Sequence, residues 1–347
     1  MTLKPLMQPV ATAALSDRSS IMRPDDISDL PDRRVVLAGV GMALGIATAP
    51  TFAAGMEMPT AMRDVIDPDA RMVTLYGDGR WLEGPAWDRR TGRLVFSDVK
   101  RNRIMALDSG PAVPWRDPSS NANGNAFDRE GRLVTCEHLT RRVVRQEHDG
   151  RLTVLADRYG GKRLNSPNDL AVAPDGAIWF TDPVFGITVP EEGERAEPEQ
   201  PGRFVYRIDP QGGLTVVADG FDQPNGIAFS PDARTLYVSE TGAGLNTEGP
   251  REIRAFDVVD GRTLVRPRVL GRLRSGIPDG LAVDRNGRIF AATAAGAQLW
   301  APDGRHLGTI PTPRTCGNIA FGGPDGRRLY LCATDALHAI DLKTGGW

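Results

Sequence analysis

Asn168-Asp169-Leu170-Ala171-Val172-Ala173-Pro174-Asp175-Gly176-Ala177-Ile178-Trp179-Phe180 is the stretch that decides the fold. A polar pair leads into a short apolar run, Asp175-Gly176 makes a turn, and a second apolar run returns. Tight hairpin turns need positive φ, which is why glycine stands there. The stretch therefore reads as a β-hairpin. Outward from it the same pattern recurs five times, beginning at Glu83-Gly84-Pro85-Ala86-Trp87, Asn123-Gly124-Asn125-Ala126-Phe127, Asn225-Gly226-Ile227-Ala228-Phe229, Asp279-Gly280-Leu281-Ala282-Val283 and Gly317-Asn318-Ile319-Ala320-Phe321. Turns at Thr91-Gly92, Glu130-Gly131, Asn286-Gly287 and Asp325-Gly326 separate the paired runs in four of these copies.

A third apolar run follows most hairpins, as in Arg103-Ile104-Met105-Ala106 and Phe204-Val205-Tyr206-Arg207, and several copies show a fourth, as in Leu214-Thr215-Val216-Val217. Four strands per unit of roughly 40–50 residues is the signature of a propeller blade. The last unit ends after three runs, while Arg71 to Leu75 precedes the first hairpin without a partner. The expectation is an all-β protein: a six-bladed β-propeller, four antiparallel strands per blade, its ring closed by an N-terminal strand. A β-sandwich leaves the sixfold repeat unexplained.

Composition agrees with this. The chain has 347 residues, 40% hydrophobic and 25% charged, with 39 Gly and 27 Pro. That is a globular chain with many turns and a sizeable core. The formal net charge of −2 offers no basic excess for nucleic acid or anionic lipid. Cys136, Cys316 and Cys332 have no C-x-x-C spacing and lie in apolar runs, so they read as buried free thiols.

The N-terminus reads as an address. Arg33-Arg34 precedes the apolar, Gly- and Ala-rich run Val35 to Ala49, and small residues follow at Ala53-Ala54-Gly55. This is the pattern of a twin-arginine export signal, with translation starting at Met1 or Met22. A membrane span needs about 20 strongly apolar residues, and this run is shorter and diluted by glycine. Residues 1–54 are expected to engage the export machinery and be removed, leaving a periplasmic protein without a stable membrane anchor. Residues 55–70 read as a linker and 71–347 as the propeller.

One column of the repeat carries chemistry. Three residues before each aligned alanine stand Glu83, Asn123, Asn168, Asn225, Asp279 and Gly317. The first strand of a blade lines the channel, so these positions share one height around the axis. Asn and Asp also precede strands simply as turn formers. Five aligned oxygen-bearing side chains, with Glu among them, favour a hard divalent cation. Ca²⁺ is the first candidate; Mg²⁺, Mn²⁺, Zn²⁺ and Fe²⁺ are the others. A second column, Asp98, Glu137, Asp182 and Glu240, with His138 beside Glu137, ends the second strands. Antiparallel pairing returns it to the same rim, where it is expected to orient ligands or bind polar substrate groups.

These residues resemble the gluconolactonase and senescence-marker-protein (regucalcin-like) family of lactonases. The carriers are Leu82-Glu83-Gly84-Pro85, Asn121-Ala122-Asn123-Gly124-Asn125, Thr135-Cys136-Glu137-His138, Leu164-Asn165-Ser166-Pro167-Asn168-Asp169, Trp179-Phe180-Thr181-Asp182-Pro183, Gln223-Pro224-Asn225-Gly226 and Pro278-Asp279-Gly280. The middle stretches are closest to exported bacterial gluconolactonases. The resemblance implies a metal held by Glu83, Asn168, Asn225 and Asp279, with Asp279 as acid/base. It implies substrate or water contact for Asn123, and a sugar lactone as substrate. Glu137, His138, Asp182 and Glu240 are the further candidates for substrate hydroxyls. The acidic, Pro-rich segment Thr188 to Gly202 departs from the pattern as an inserted loop able to overhang the site. No G-x-S-x-G elbow is present, which argues against a serine hydrolase. The other readings are a related metal-dependent esterase or phosphotriesterase-like hydrolase, and a non-catalytic binding propeller.

Overall fold

The computed structural model describes residues 49–50 and 58–346. The Arg33-Arg34 motif, the apolar run up to residue 48 and the expected cleavage region lie outside the described residues. Among the described residues no helix is long and apolar enough to cross a membrane.

Six four-stranded antiparallel blades form. Their innermost strands are Leu82–Asp88, Ala122–Phe127, Leu170–Val172, Pro224–Phe229, Leu281–Val283 and Cys316–Gly322. Each touches the next, and the sixth touches the first, so the ring is closed. The sixth blade takes three strands from the C-terminus, and its fourth strand is Arg71–Tyr76, which pairs antiparallel with Ala336–Asp341 and, on its outer edge, with the two-residue strand Ala49–Pro50. Closure thus joins both ends of the chain, as the repeat count required.

The apolar core is not axial. Buried side chains form six layers, one between each pair of neighbouring blades. Strand Ile178–Asp182 shows why: Trp179 packs toward the fourth blade, while Ile178 and Phe180 pack toward the second. Successive side chains leave opposite faces of a strand, and both faces of a blade are covered. That explains apolar runs without polar alternation. The three cysteines are buried and free.

One expectation needs correction. Residues Met58–Ala70 are not a linker: Met62, Val65 and Ile66 are fully buried against the fifth and sixth blades. Lys343 fastens the segment, its N–H donating to Val65 O at 2.8 Å and its Nζ to Arg63 O at 3.0 Å. Among the polar residues around them, the three apolar side chains at i, i+3 and i+4 make one face, the spacing of a helical turn.

Candidate active site

The aligned column stands where the inner β-ladder breaks. Register shifts fall between Glu83 and Ala86, Ala122 and Asn125, Pro224 and Ile227, and Cys316 and Asn318. In the third and fifth blades the ladder starts only at Leu170 and Leu281, after Asn168 and Asp279. Such irregularities free a residue from the pleat and re-aim its side chain. Glu83, Asn123, Asn168, Asn225 and Asp279 accordingly line one cavity of about 160 Å³ at the channel mouth. Glu83, Asn123, Asn168 and Asn225 are buried, between 3% and 5% exposed, and Asp279 is partly buried.

The sixth blade's Gly317 is not a gap. A Cβ there would overlap Glu83 Oε1, so the glycine makes room for that carboxylate. Gly317→Ala is therefore expected to displace Glu83. For a divalent cation held by that carboxylate, affinity read by calorimetry would fall about tenfold or more, on the scale of one lost charge-assisted contact, with the fold retained.

Beneath the column, Asn318 Nδ2 donates to Asp169 Oδ2 at 3.4 Å across the channel, linking opposite blades. Burial raises the Asp169 carboxyl to about 6 against hydrogen bonds from Leu170 N–H and Asn318. Glu83 and Asp279 are both pushed well above the usual carboxylate range. Burial is the main cause for each; Asp279 and Asp169 add to it for Glu83, and Glu192 and Asp169 for Asp279. Asn123 Oδ1 is buried and accepts no hydrogen bond. Clustered carboxyls plus an orphaned amide oxygen are the environment a divalent cation relieves. Among the described residues there is no cluster of three His, Cys, Asp or Glu with metal-binding spacing. The column offers two carboxylates, and its other oxygens are Asn amides.

His138 lies behind the cavity, fully buried. Its Nδ1 stands 3.1 Å from Glu192 O, a carbonyl, so Nδ1 carries the proton. Nε2 is then an acceptor, 3.5 Å from Asn168 Nδ2. This turns the Asn168 amide so that its oxygen is free for a cation. Burial lowers the imidazole to about 4. The unfolded chain takes this proton below about 6.5 and the folded chain only near 4, so stability drops as pH falls through that window. In metal-free protein, denaturant unfolding should show wild type losing roughly 3 kcal/mol more than His138→Gln between pH 7 and 4.

Glu137, Asp182 and Glu240 do not reach the cavity, which corrects their assignment to substrate. All three are fully buried. Asp182 accepts the N–H groups of Asn165 and Ser166 at 2.8 and 2.9 Å. Glu240 accepts those of Asp222 and Gln223 at 2.8 and 2.7 Å. Asp98 repeats the device with Arg80 and Trp81 at 3.0 and 3.4 Å. In each case these are the residues two and three before the column position, so the carboxylates hold the turns that present the site. Glu137 instead pairs with Arg142 at 2.6 Å and Arg116 at 3.0 Å. All four carboxylates are fully buried and meet no solvent.

The rest of the cavity comes from residues outside both columns. Trp81, Phe185, Val189 and Ile277 supply apolar walls, and Glu192 supplies another carboxyl. Glu192 is 8% exposed and raised by burial to about 7, with Lys100 opposing the rise. It belongs to the inserted segment, so no repeat position marks it; the only signal was an acidic pair beside Gly193 in a loop expected to overhang.

Residues 81–335 match the model of the SMP-30/gluconolactonase/LRE-like region. The chain is 31% identical to a gluconolactonase of Zymomonas mobilis over 304 residues, 81% of this chain and 84% of the relative. It is 30% identical to the pentonolactonase XacC of Haloferax volcanii, over 72% of this chain and 80% of the relative. A solved gluconolactonase from Xanthomonas campestris superimposes with a TM-score of 0.77 at 42% identity, covering 82% of this chain and 93% of that one. On the family match and these likenesses, the chain belongs to the SMP-30/gluconolactonase/LRE-like family.

Proposed function

We propose that the protein is a lactonase that opens a sugar lactone of the gluconolactone type to its aldonic acid. The observation that carries this reading is the convergence of Glu83, Asn168, Asn225 and Asp279 on one small cavity, in a chain whose relatives are gluconolactonases and a pentonolactonase. Those four side chains would hold one divalent ion, Ca²⁺ first because every donor is oxygen. When bound, such an ion supplies Lewis acidity toward a carbonyl oxygen and acidifies water.

Asp279 is the acid/base. Burial and the charges of Glu192 and Asp169 raise its affinity for a proton, so it is a better base at neutral pH than an exposed carboxylate. It takes a proton from the attacking water and returns one to the ring oxygen as the carbonyl–oxygen bond breaks. Asn225, hydrogen-bonded to Asp279, keeps that carboxylate oriented. The unpaired Asn123 Oδ1 is placed to meet water or a substrate hydroxyl. Trp81 and Phe185 give the cavity apolar walls.

Turnover of aldonolactones, aryl esters and organophosphates by the metal-loaded protein tests this reading. Ester or phosphotriester turnover without lactone hydrolysis would move the assignment to the related hydrolases, and no turnover at all to a binding propeller. The same reading places the mature protein in the periplasm on the strength of Arg33-Arg34 and the run that follows. Recovery of the uncleaved chain from the cytoplasm alone would refute that placement.

A further inference from the structure

The loop between strands Ile178–Asp182 and Arg203–Ile208 of the third blade does not hang free. Blades one and two grip it at consecutive residues. Arg80 donates to both carboxylate oxygens of Glu191 at 2.9 and 3.0 Å. Asn121 Nδ2 donates to Glu191 O at 3.1 Å, and His138 Nδ1 to Glu192 O at 3.1 Å. The next residue is glycine because a Cβ on Gly193 would overlap Gly186 O. The clamp has one consequence: the Glu192 side chain points into the cavity beside Asp279 and Asn123.

The carboxylate is not used up by the clamp. Among the described residues its one polar contact is Lys100 Nζ, 3.7 Å from Oε1. Lys100 also lies 5.4 Å from the ring centre of Trp81, which lines the same cavity. An acceptor-only carboxylate, an ammonium with three donors and an indole face thus sit together above the column. A polyhydroxylated ring presents the complementary set: hydroxyls that donate to a carboxylate, hydroxyl oxygens that accept from an ammonium, and an apolar C–H face that packs on an aromatic ring.

We infer that Glu192, with Lys100 beside it and Trp81 as platform, reads the hydroxyl groups of the lactone and sets the preference for sugar lactones over unsubstituted ones. The inference rests on the lactonase reading and adds a specificity residue carried by the inserted loop. A buried acceptor built for a hydroxyl discriminates strongly against a substrate lacking it, because the acceptor is then left unpaired. The reacting ester group is the same in both substrates, so the effect belongs to recognition and not to the bond-breaking step.

The test compares wild type, Glu192→Gln, Glu192→Ala and Lys100→Met, all metal-loaded, on D-glucono-δ-lactone and on δ-valerolactone, which has no hydroxyls. Metal affinity is measured on the same proteins by calorimetry with Ca²⁺ and Mn²⁺. The backbone carbonyl that holds His138 is kept in every variant, and Glu192→Gln conserves shape. Glu192→Ala is expected to raise KM for gluconolactone about 10–100-fold, the scale of a hydrogen bond to a charged group. Loss of the Glu192 charge changes the base strength of Asp279 for both lactones alike, so recognition is read from the ratio of kcat/KM for gluconolactone to that for δ-valerolactone, which should drop about 10–100-fold. Metal affinity should stay within a few-fold, and Lys100→Met should shift the ratio in the same direction by less. An equal loss on both lactones, or unchanged KM for gluconolactone, overturns the inference and leaves the lactonase reading standing. A tenfold weaker metal site in Glu192→Gln also overturns it, making Glu192 a metal ligand instead. Wild type inactive on both lactones overturns the lactonase reading itself, and the inference with it.

Discussion

Asp279→Asn is expected to lower kcat/KM on D-glucono-δ-lactone about 10³-fold, within the 10²–10⁴ range of a lost general acid–base group. Asparagine keeps the shape and the hydrogen-bonding partner Asn225 but takes no proton from water. The metal-free variant should be at least as stable as wild type, because its buried carboxyl is replaced by a neutral group among Glu83, Asp169 and Glu192. Thermal melts and pH-stat rates on one preparation separate the two effects. Activity retained within a few-fold would remove Asp279 from the acid/base role.

Chelation by EDTA should abolish turnover, and added Ca²⁺ or Mn²⁺ should restore it. Metal present at 100 times its Kd adds about 2.7 kcal/mol of stability. At roughly 2–4 °C per kcal/mol for large domains, that amounts to about 5–10 °C in Tm. The pH sign follows from the carboxyls. Burial and mutual repulsion hold Glu83 and Asp279 protonated to higher pH than usual, and a proton competes with the metal for each. Metal affinity must therefore tighten as pH rises, which calorimetry at pH 6 and pH 8 reads directly. Affinity independent of pH across that range would argue that these two carboxylates are not ligands.

Much of the site was legible because of symmetry. In a repeat, counting three residues before each aligned alanine finds the same point on each inner strand. That located Glu83, Asn123, Asn168, Asn225 and Asp279 without coordinates, and closed packing of the inner strands brings them together. The same count misled at the second column. Asp98, Asp182 and Glu240 do return to the rim, but their oxygens meet backbone N–H groups of the turns beneath the column. Whether a carboxylate faces a cavity or a buried turn depends on side-chain direction at a strand end, which periodicity does not encode. Residues Met58–Ala70 looked polar on average, yet Met62, Val65 and Ile66 fall on one face and are buried.

The sequence by itself determined the number of blades, the closure of the ring by Arg71–Tyr76 and the five polar positions at the axis. These follow from repetition, and each repeat obeys the same local physics. Only the tertiary structure decided that Gly317 is space for the Glu83 carboxylate, that His138 acts behind Asn168, and that Glu192 enters the cavity. Those outcomes depend on contacts made once in the molecule: Gly317 of the sixth blade against Glu83 of the first, His138 of the second against Asn168 of the third, and a loop of the third blade against side chains of the first and second. A single non-repeated contact leaves no periodic trace along a chain.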